Sequence, residues 1–192
     1  MKSAVGIRRA RVLSRLLLDR FGSMADVLAA GPDRLNEVAG MGPATISLLA
    51  SILETAQKLA RERIGDDRPL LSSSSQVREY LQVMMAHLPV EQLRILFLNK
   101  RNRLIVDEVQ QTGTVDHTPA YPREIIRRTL ELSASAIILA HNHPSGDPSP
   151  STTDIRITKD IAVAAKPLGI VVHDHVIVGR SGVLSMRSLG ML

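Results

Sequence analysis

Two histidines separated by one residue, and the proline-rich turn that follows them, constrain the fold of this chain more than any other feature. An apolar run over residues 136–140 precedes His141 and His143 and has the length of a buried strand. Because alternate side chains of an extended segment point the same way, the two imidazoles lie on one face. Three prolines and a glycine between residues 144 and 150 then end the strand and force a turn. The sequence therefore predicts a strand that delivers two histidines to the edge of a sheet.

A third residue of metal-ligating type follows the turn. Asp154 lies in the first turn of a segment with helical apolar periodicity. Two histidines, one aspartate and an open fourth position make up the ligand count of a catalytic zinc site. Two other interpretations stay open. A lone His-x-His pair binds no metal in most strands, and Ser151 with Asp154 also forms a helix-capping pattern. The combination of three ligand residues around one turn favours the metal site.

The spacing of these residues resembles that of a known family. His-x-His, seven residues, Ser, two residues and Asp is the pattern of the JAMM (MPN+) metalloproteases, and the run His-Asn-His-Pro-Ser-Gly resembles their bacterial branch, the RadC family. The resemblance covers about residues 70–192. It implies an α+β domain with a mixed sheet flanked by helices, like that of the cytidine deaminases, and a Zn²⁺ cofactor. It also implies that the zinc ligands are His141, His143 and Asp154, and that Ser151 steadies the oxyanion that develops during hydrolysis.

The resemblance further implies a glutamate that acts as the general base. The family places this residue between the first helix and the first strand of the domain, and Glu91, just before the apolar segment 93–98, fits that position. Glu108 lies inside the next predicted strand and fits less well. Glu124 opens a helix, where a carboxylate interacts favourably with the helix dipole and needs no other explanation. We therefore predict that Glu91 is the base and that Glu108 is a solvated strand residue.

A second His-x-His run, His173-Asp174-His175, rivals the first as a metal pair by spacing alone. It lacks a nearby third ligand and a turn. We predict that Asp174 and His175 lie near the site and orient its ligands, and that His173 is exposed. The default interpretation of His87, near the end of a helix, is a surface residue, and His117, in a loop, is left without a role.

Two glycines in the amino-terminal part of the chain indicate a different kind of site. Gly40 and Gly42 flank Met41 between two helical segments, where they let the backbone turn tightly and expose N–H groups at the start of the next helix. The stretch resembles the helix-hairpin-helix motif, which grips DNA phosphates without reading the base sequence. The DNA contacts would then come from Gly40, Met41 and Gly42. The alternative is a glycine-rich corner that packs and binds nothing.

Hydrophobic periodicity predicts an α+β chain of two domains. A breaker cluster at residues 65–69 places the boundary between a helical domain, 1–66, and a mixed domain, 70–192. In the first we predict helices over residues 7–20, 24–30, 33–39 and 43–63. The inner side of the last helix is predicted to carry Ile46, Leu49, Ile52, Leu53 and Leu59. In the second we predict a helix over residues 77–88 and an antiparallel strand pair over 93–98 and 104–109, with the second strand finishing near Gly113. These are followed by a helix from 122 with Leu130 inward, a strand over 136–140, a helix from 152, a strand over 170–178 and a short closing strand.

Composition limits where the chain acts and what it binds. The sequence has no cysteine, and no apolar run approaches the ~20 residues of a membrane span or forms a secretory signal. We therefore expect a cytoplasmic protein that binds no membrane and holds its metal through histidine and carboxylate. The net charge is +5, and residues 1–20 are rich in arginine, which attracts phosphates. Few aromatic residues argue against base stacking on single strands, so the expected nucleic acid is duplex DNA.

Two function classes follow from these observations. The favoured one is zinc-dependent hydrolysis of a peptide or isopeptide bond in a protein or peptide substrate. The alternative is a non-catalytic DNA-binding accessory protein of repair or recombination, in which the glycine turn does the binding. A third class, a scaffold that uses the domain only for contacts, is disfavoured because such a scaffold needs no intact ligand set. The sequence predicts neither the substrate nor the oligomeric state.

Overall fold

The computed structural model shows a helical region followed by a mixed sheet flanked by helices, so the predicted α+β class is confirmed. By its internal contacts the chain separates into two compact units, residues 1–58 and 59–192. The predicted boundary at residues 65–69 falls almost entirely outside the described residues, and the division into 1–66 and 70–192 stays a prediction. The structure describes residues 2–65, 74–113 and 121–192.

The first unit is built from helices that surround a small apolar core. Its buried residues include Leu17, Val27 and Leu35. Ser23 caps the start of the second helix, since its Oγ accepts a hydrogen bond from the backbone N–H of Asp26. The helices are α1 (Lys2–Phe21), α2 (Met24–Ala29), α3 (Gly31–Asn36) and α4 (Pro43–Gly65), and the last of these runs on into the second unit.

Two predictions for these helices are wrong. The third helix begins at Gly31 and ends at Asn36 instead of spanning residues 33–39, because Pro32 fits the first turn of a helix, where no N–H partner is needed. Ile52 is 45% exposed and Leu59 is 54% exposed, although both were expected to face inward. The other three residues predicted for the inner side of α4 are partly buried at a spacing of three and four residues, and they are Ile46, Leu49 and Leu53.

The glycine turn before α4 is tight, as predicted, but the N–H of Met41 is used inside the protein. Gly40 has φ +88°, a left-handed conformation that glycine adopts without strain. The N–H of Met41 donates to the carbonyl of Val38, and the Met41 side chain packs against the core of the first unit. The carbonyl of Gly42 accepts the first helical hydrogen bonds of α4. The turn therefore ends at a helix start, as the sequence predicts.

The second unit is a five-stranded mixed sheet with helices on both faces. The strand order is β2-β1-β3-β4-β5, in which β3 and β4 are parallel and the other neighbours are antiparallel. One face packs against α5 and the end of α4, and the other packs against α6 and α7. The elements are α5 (Ser74–Met85), β1 (Gln92–Leu98), β2 (Leu104–Thr112), α6 (Pro122–Glu131), β3 (Ala136–Asn142), α7 (Thr152–Ala165), β4 (Val171–Gly179) and β5 (Gly182–Ser185).

Some details of the second unit differ from the sequence prediction. The second strand ends at Thr112, close to its predicted end near Gly113. By contrast, β3 extends beyond its predicted end and includes His141 and Asn142, so the first histidine belongs to the sheet itself. Leu130 is 52% exposed, whereas Thr129 is fully buried. Burial of Thr129 is tolerated because its hydroxyl donates to the carbonyl one helical turn earlier. Within the described residues, every helix is too short or too polar to cross a bilayer.

Candidate metal centre

Three side chains converge where β3 leaves the sheet. His141 is buried near the end of β3, His143 follows one residue beyond it, and Asp154 lies in the first turn of α7. The Nε2 atoms of the two histidines are 2.9 Å apart. His141 Nε2 is 3.3 Å from Asp154 Oδ1, and His143 Nε2 is 3.6 Å from Asp154 Oδ2. Among the residues that the structure describes, these three form a group that could hold a metal ion.

Backbone contacts hold His143 in a defined orientation. Its N–H donates to the carbonyl of Val178 on β4 at 2.9 Å, which extends the sheet by one residue. Its ring Nδ1 is 2.8 Å from the carbonyl oxygen of Asp147. A carbonyl can only accept, so Nδ1 carries a proton, and in the neutral ring Nε2 keeps its lone pair. The lone pair therefore lies on the nitrogen that faces the other two side chains.

Asp154 and Ser151 form a capping box at the start of α7. The Ser151 Oγ accepts from the N–H of Asp154, and both the N–H and the hydroxyl of Ser151 donate to Asp154 Oδ2, at 2.8 and 2.6 Å. The capping interpretation of this pair is therefore present in the structure. It does not compete with a metal site, because it holds one carboxylate oxygen and leaves Oδ1 directed at His141. The predicted role of Ser151 at an oxyanion stays a prediction.

The turn between the histidines and α7 is anchored to the end of β4. Both the N–H and the hydroxyl of Ser181 donate to the carbonyl of Gly146, and Arg180 donates to the carbonyl of Pro144. A Cβ placed on Gly179 would lie 2.2 Å from the Gly146 carbonyl oxygen, so only glycine allows this approach. The turn is thereby held against the sheet at the point where it carries Asp147 to the ring of His143.

The electrostatics of the site favour a positive charge between the three side chains. The hydrogen bond with Asp154 raises the pKa of His143, while partial burial opposes this rise. Burial by itself would raise the pKa of Asp154, but hydrogen bonds with His141 and His143 outweigh it and hold that pKa well below the usual range. A proton shared within this group occupies the position that a cation would occupy, so proton and metal compete for the same atoms.

Glu91 lies close enough to the site to act on it electrostatically. Its carboxylate is among the groups that raise the pKa of His143, after the hydrogen bond with Asp154. The segment that carries Glu91 is attached to β3 through Asn142, whose side-chain oxygen accepts from the N–H of Gln92 at 2.9 Å and whose amide donates to the carbonyl of Val90 at 3.1 Å. The residue between the two histidines therefore holds the backbone on either side of Glu91.

Comparisons with known proteins show the family of this chain. A family model described as a RadC-like JAB domain matches residues 71–191. A relative from Rhodobacter capsulatus, named UPF0758 protein, is 53% identical over 180 residues, which cover 94% of this chain and 84% of the relative. The chain belongs to the RadC family. The RadC match spans the whole described sheet and every residue of the candidate metal centre.

The rival histidine run of this RadC-family chain contributes one residue to the centre and no second metal site. His175 is buried, and its Nε2 is 2.8 Å from His141 Nδ1, so it lies next to a ligand as predicted. His173 is half-buried and bound to Asn102 at the other end of the strand, which corrects the expectation that it is exposed. The Asp174 carboxylate accepts from the Ser185 hydroxyl and from the N–H groups of Arg187 and His175. Among these contacts there is no candidate ligand, so Asp174 does not orient one directly.

The other glutamates and histidines have different environments. Glu108 is bound to Arg128 on α6, with one contact at 2.5 Å, and this ion pair lowers its pKa. It is therefore half-buried and paired, not the solvated residue that the sequence predicts. Glu124 pairs with Arg127 on the surface of α6. His87 is half-buried just beyond α5, and His117 lies outside the described residues.

The residues of this RadC-family site fit a zinc ion. Tetrahedral zinc with Zn–N bonds of about 2.0–2.1 Å separates its ligand atoms by about 3.3–3.5 Å, and the three distances here lie between 2.9 and 3.6 Å. The donor set is two imidazoles and a carboxylate, and a hydrogen bond fixes the lone pair of His143 on the converging nitrogen. His141, His143 and Asp154 would hold the metal, and three protein ligands leave the fourth position of a tetrahedral site open.

Sequence reasoning did not assign Asn142 or Thr158 to the site. Because side chains alternate along a strand, Asn142 lies on the opposite face of β3 from the two imidazoles. This indicates that Asn142 is not a metal ligand, but the pattern does not identify the residues that it contacts. Thr158 lies one helical turn after Asp154 on α7, and its hydroxyl is 2.5 Å from His175 Nδ1. The signal that the sequence carries for Thr158 is its position four residues after Asp154, on the same face of a predicted helix.

Proposed function

We propose that this RadC-family chain is a zinc-dependent hydrolase that cleaves peptide or isopeptide bonds in a protein or peptide substrate. The observation that carries the proposal is the convergence of His141 Nε2, His143 Nε2 and the Asp154 carboxylate at the end of β3. Their ring orientation, the open fourth position and the nearby Glu91 support hydrolysis over a closed structural site, which would use four protein ligands.

The chain's own residues have separate tasks in this reaction. When bound, zinc supplies an acidic water and polarises the carbonyl that is attacked. Glu91 takes a proton from the attacking water and delivers it to the nitrogen of the leaving amine as the C–N bond breaks. Ser151 holds one oxygen of Asp154 through two hydrogen bonds and thereby orients that carboxylate.

The decisive experiment separates metal binding from chemistry. Glu91→Gln keeps the shape of the side chain but removes its basicity, and Glu91 is not a metal ligand. We expect this variant to retain its zinc while its hydrolytic rate falls by about 10²–10⁴, the usual contribution of a positioned general base. Zinc is measured by elemental analysis, and cleavage is measured as new amino groups released from a pooled peptide library and from peptides joined through lysine side chains.

Glu108→Gln is the matched control for this experiment. Its carboxylate is bound to Arg128, so the change removes an ion pair and leaves the site intact. We expect its rate and zinc content to equal those of the wild type. A fully active Glu91→Gln together with an inactive, zinc-loaded Glu108→Gln would show that the base is misplaced. Absence of cleavage by the zinc-loaded wild type on both substrate pools would contradict the hydrolase proposal.

A second candidate function is binding of duplex DNA by the helical unit. The observation that favours it is the Gly40 turn before α4, together with exposed arginines on α1 that include Arg9, Arg11 and Arg15. Such contacts neutralise phosphates without reading bases. This function is compatible with hydrolysis, since the two sites lie in different units.

A further inference from the structure

His175 is a buried imidazole with one partner on each ring nitrogen. It is 2% exposed, its Nε2 is 2.8 Å from His141 Nδ1, and its Nδ1 is 2.5 Å from the Oγ1 of Thr158. Thr158 is fully buried, and the Sδ of the buried Met186 is 3.7 Å from its hydroxyl. Because neither His175 nor Thr158 is open to solvent, each hydrogen bond of this group depends on the other side chains and not on water.

The protons of this group can be assigned by counting donors and acceptors. Thr158 Oγ1 is 2.5 Å from the backbone carbonyl of Asp154, and a carbonyl can only accept. The single hydroxyl proton of Thr158 therefore goes to Asp154, in the common bond from threonine to the preceding helical turn. Toward His175 the hydroxyl can then only accept, so Nδ1 of His175 is the nitrogen that carries a proton.

The assignment continues through His175 to the candidate metal ligand. Burial without a contacting carboxylate disfavours a charged ring, so His175 has one proton, and its Nε2 is an acceptor. The atom that donates to it is His141 Nδ1, because these two nitrogens are 2.8 Å apart. With its proton on Nδ1, neutral His141 keeps its lone pair on Nε2, the atom that lies 3.3 Å from Asp154 Oδ1.

We propose that Thr158 and His175 are positioning residues that set the tautomer of His141, so that its Nε2 faces the metal with a lone pair. This inference rests on the proposed function, in which His141 is a zinc ligand. Partners of ligating histidines in proteins commonly fix the ring and its tautomer. Here the partner is a neutral imidazole that can either donate or accept, and the hydroxyl of Thr158 decides which. The same hydroxyl donates to the backbone carbonyl of Asp154. Thr158 therefore contacts one candidate ligand directly and a second, His141, through His175.

The test removes the hydroxyl and keeps the shape of the side chain. In Thr158→Val, Nδ1 of His175 has no acceptor, so the proton moves to Nε2 and is donated to His141 Nδ1. His141 then carries its own proton on Nε2, where it blocks the metal. We expect the zinc dissociation constant, measured by chelator competition, to rise about 10–100-fold. Thr158→Ser restores the hydroxyl, and we expect it to return the dissociation constant to within a few-fold of the wild type.

Thr129→Val is the matched control. Thr129 is fully buried in α6, and its hydroxyl donates to the carbonyl of Ile125 at 2.7 Å, which is the same bond in a helix that carries no ligand. We expect it to lose thermal stability comparably to Thr158→Val and to bind zinc as the wild type does. Equal zinc affinity of Thr158→Val and Thr129→Val would overturn the inference.

Nitrogen NMR of the histidine rings tests the assignment directly and without metal. In the metal-free wild type at about pH 8, where an unperturbed imidazole is neutral, long-range ¹⁵N correlation spectra should show His141 and His175 protonated on Nδ1. Protonation of His175 on Nε2 in the wild type would overturn the inference even if zinc binds. If the rings have the expected tautomers but the wild type binds no zinc, the tautomer assignment is supported and the proposed zinc function is the part that fails.

Discussion

At the scale of single residues, the candidate centre depends on which nitrogen of each ring carries a proton. The carbonyl of Asp147 accepts from Nδ1 of His143, and this leaves Nε2 of that ring directed at Asp154. Two imidazole lone pairs and a carboxylate that face one another at 2.9–3.6 Å repel in the absence of a positive charge. A proton or a metal ion relieves this repulsion, and the hydrogen bond between His143 and Asp154 is the main cause of the raised pKa of His143.

Replacement of one imidazole should therefore remove the metal. We expect His143→Ala to contain far less than one zinc per chain, because two protein ligands do not retain the ion. Zinc should also stop stabilising this variant, whereas the wild type should gain about 2.7 kcal/mol at a zinc concentration 100 times its dissociation constant. Elemental analysis and thermal unfolding with and without zinc measure the two effects.

His173→Ala is the control for this change. His173 lies near the start of β4, where its ring contacts Asn102 and none of the candidate ligands. We expect this variant to keep its zinc and its thermal response to zinc. Stoichiometric zinc in His143→Ala would exclude His143 as a ligand, and loss of zinc in His173→Ala would point to the second histidine run as the metal site.

At the scale of elements, β3 supplies the centre from both of its faces. His141 points toward α7, and Asn142 points the opposite way, where its amide joins the segment before β1 at Val90 and Gln92. A parallel crossover through α7 brings β4 alongside β3, and with it His175 alongside His141. The site is thus assembled from an antiparallel and a parallel neighbour of one strand.

Asn142→Ala should change the placement of Glu91 without changing the binding of zinc. Without the amide the segment on either side of Glu91 loses two hydrogen bonds, and the proposed base is less well placed. We expect the hydrolytic rate to fall roughly 10–100-fold, since small misplacements of catalytic groups have effects of this size. Zinc affinity should stay unchanged, because Asn142 contacts none of the ligand side chains in the structure. Rate and zinc dissociation constant are measured on the same preparation.

Asn99→Ala is a matched control at the other end of β1. The side-chain oxygen of Asn99 accepts from the N–H groups of Arg101 and Arg103, so its removal also releases two backbone contacts. Both variants should lose about 1–3 kcal/mol of stability. An equal fall in rate in the two variants would mean that general destabilisation, not the placement of Glu91, explains the effect of Asn142→Ala.

At the scale of the whole molecule, the chain carries a basic helical unit in addition to the unit that contains the candidate metal centre. The net charge is +5, and exposed arginines on α1 include Arg9, Arg11 and Arg15. We expect the full chain to bind duplex DNA without sequence preference, with an affinity whose dependence on salt has a slope of about −0.9 per phosphate neutralised. Filter binding over a range of salt concentrations measures this slope.

A bulky side chain at the glycine turn should weaken this binding. In the structure a Cβ on Gly42 would meet nothing within 4 Å, so the backbone accepts a side chain there. We expect Gly42→Leu to act by keeping phosphate away from the backbone. Ala50→Leu adds a leucine at an exposed position of α4, and this variant should bind DNA as the wild type does. No detectable binding by the wild type at about 50 mM salt, or equal binding by both variants, would argue against the glycine turn as the contact.

The local features of this protein follow from its sequence, because they depend on the periodicity of the backbone. A period of two places His141 and His143 on one face, proline and glycine fix the turn after them, and capping chemistry places Asp154 at the start of α7. These three local features specify the candidate ligand set without knowledge of distant contacts. The α+β class follows in the same way from helical and strand periods taken in order.

Only the tertiary structure decided which residues surround the ligands. The register of β3 against β4 brings His175 to His141, although 34 positions separate them, and the packing of α7 adds Thr158. Similarly, Asn142 meets the segment around Glu91 through a contact across 50 positions. Periodicity says which face a side chain occupies but not which distant element covers that face. For this reason the sequence predicted that His175 lies near the site but not which ligand it contacts, and it did not reveal Thr158 at all.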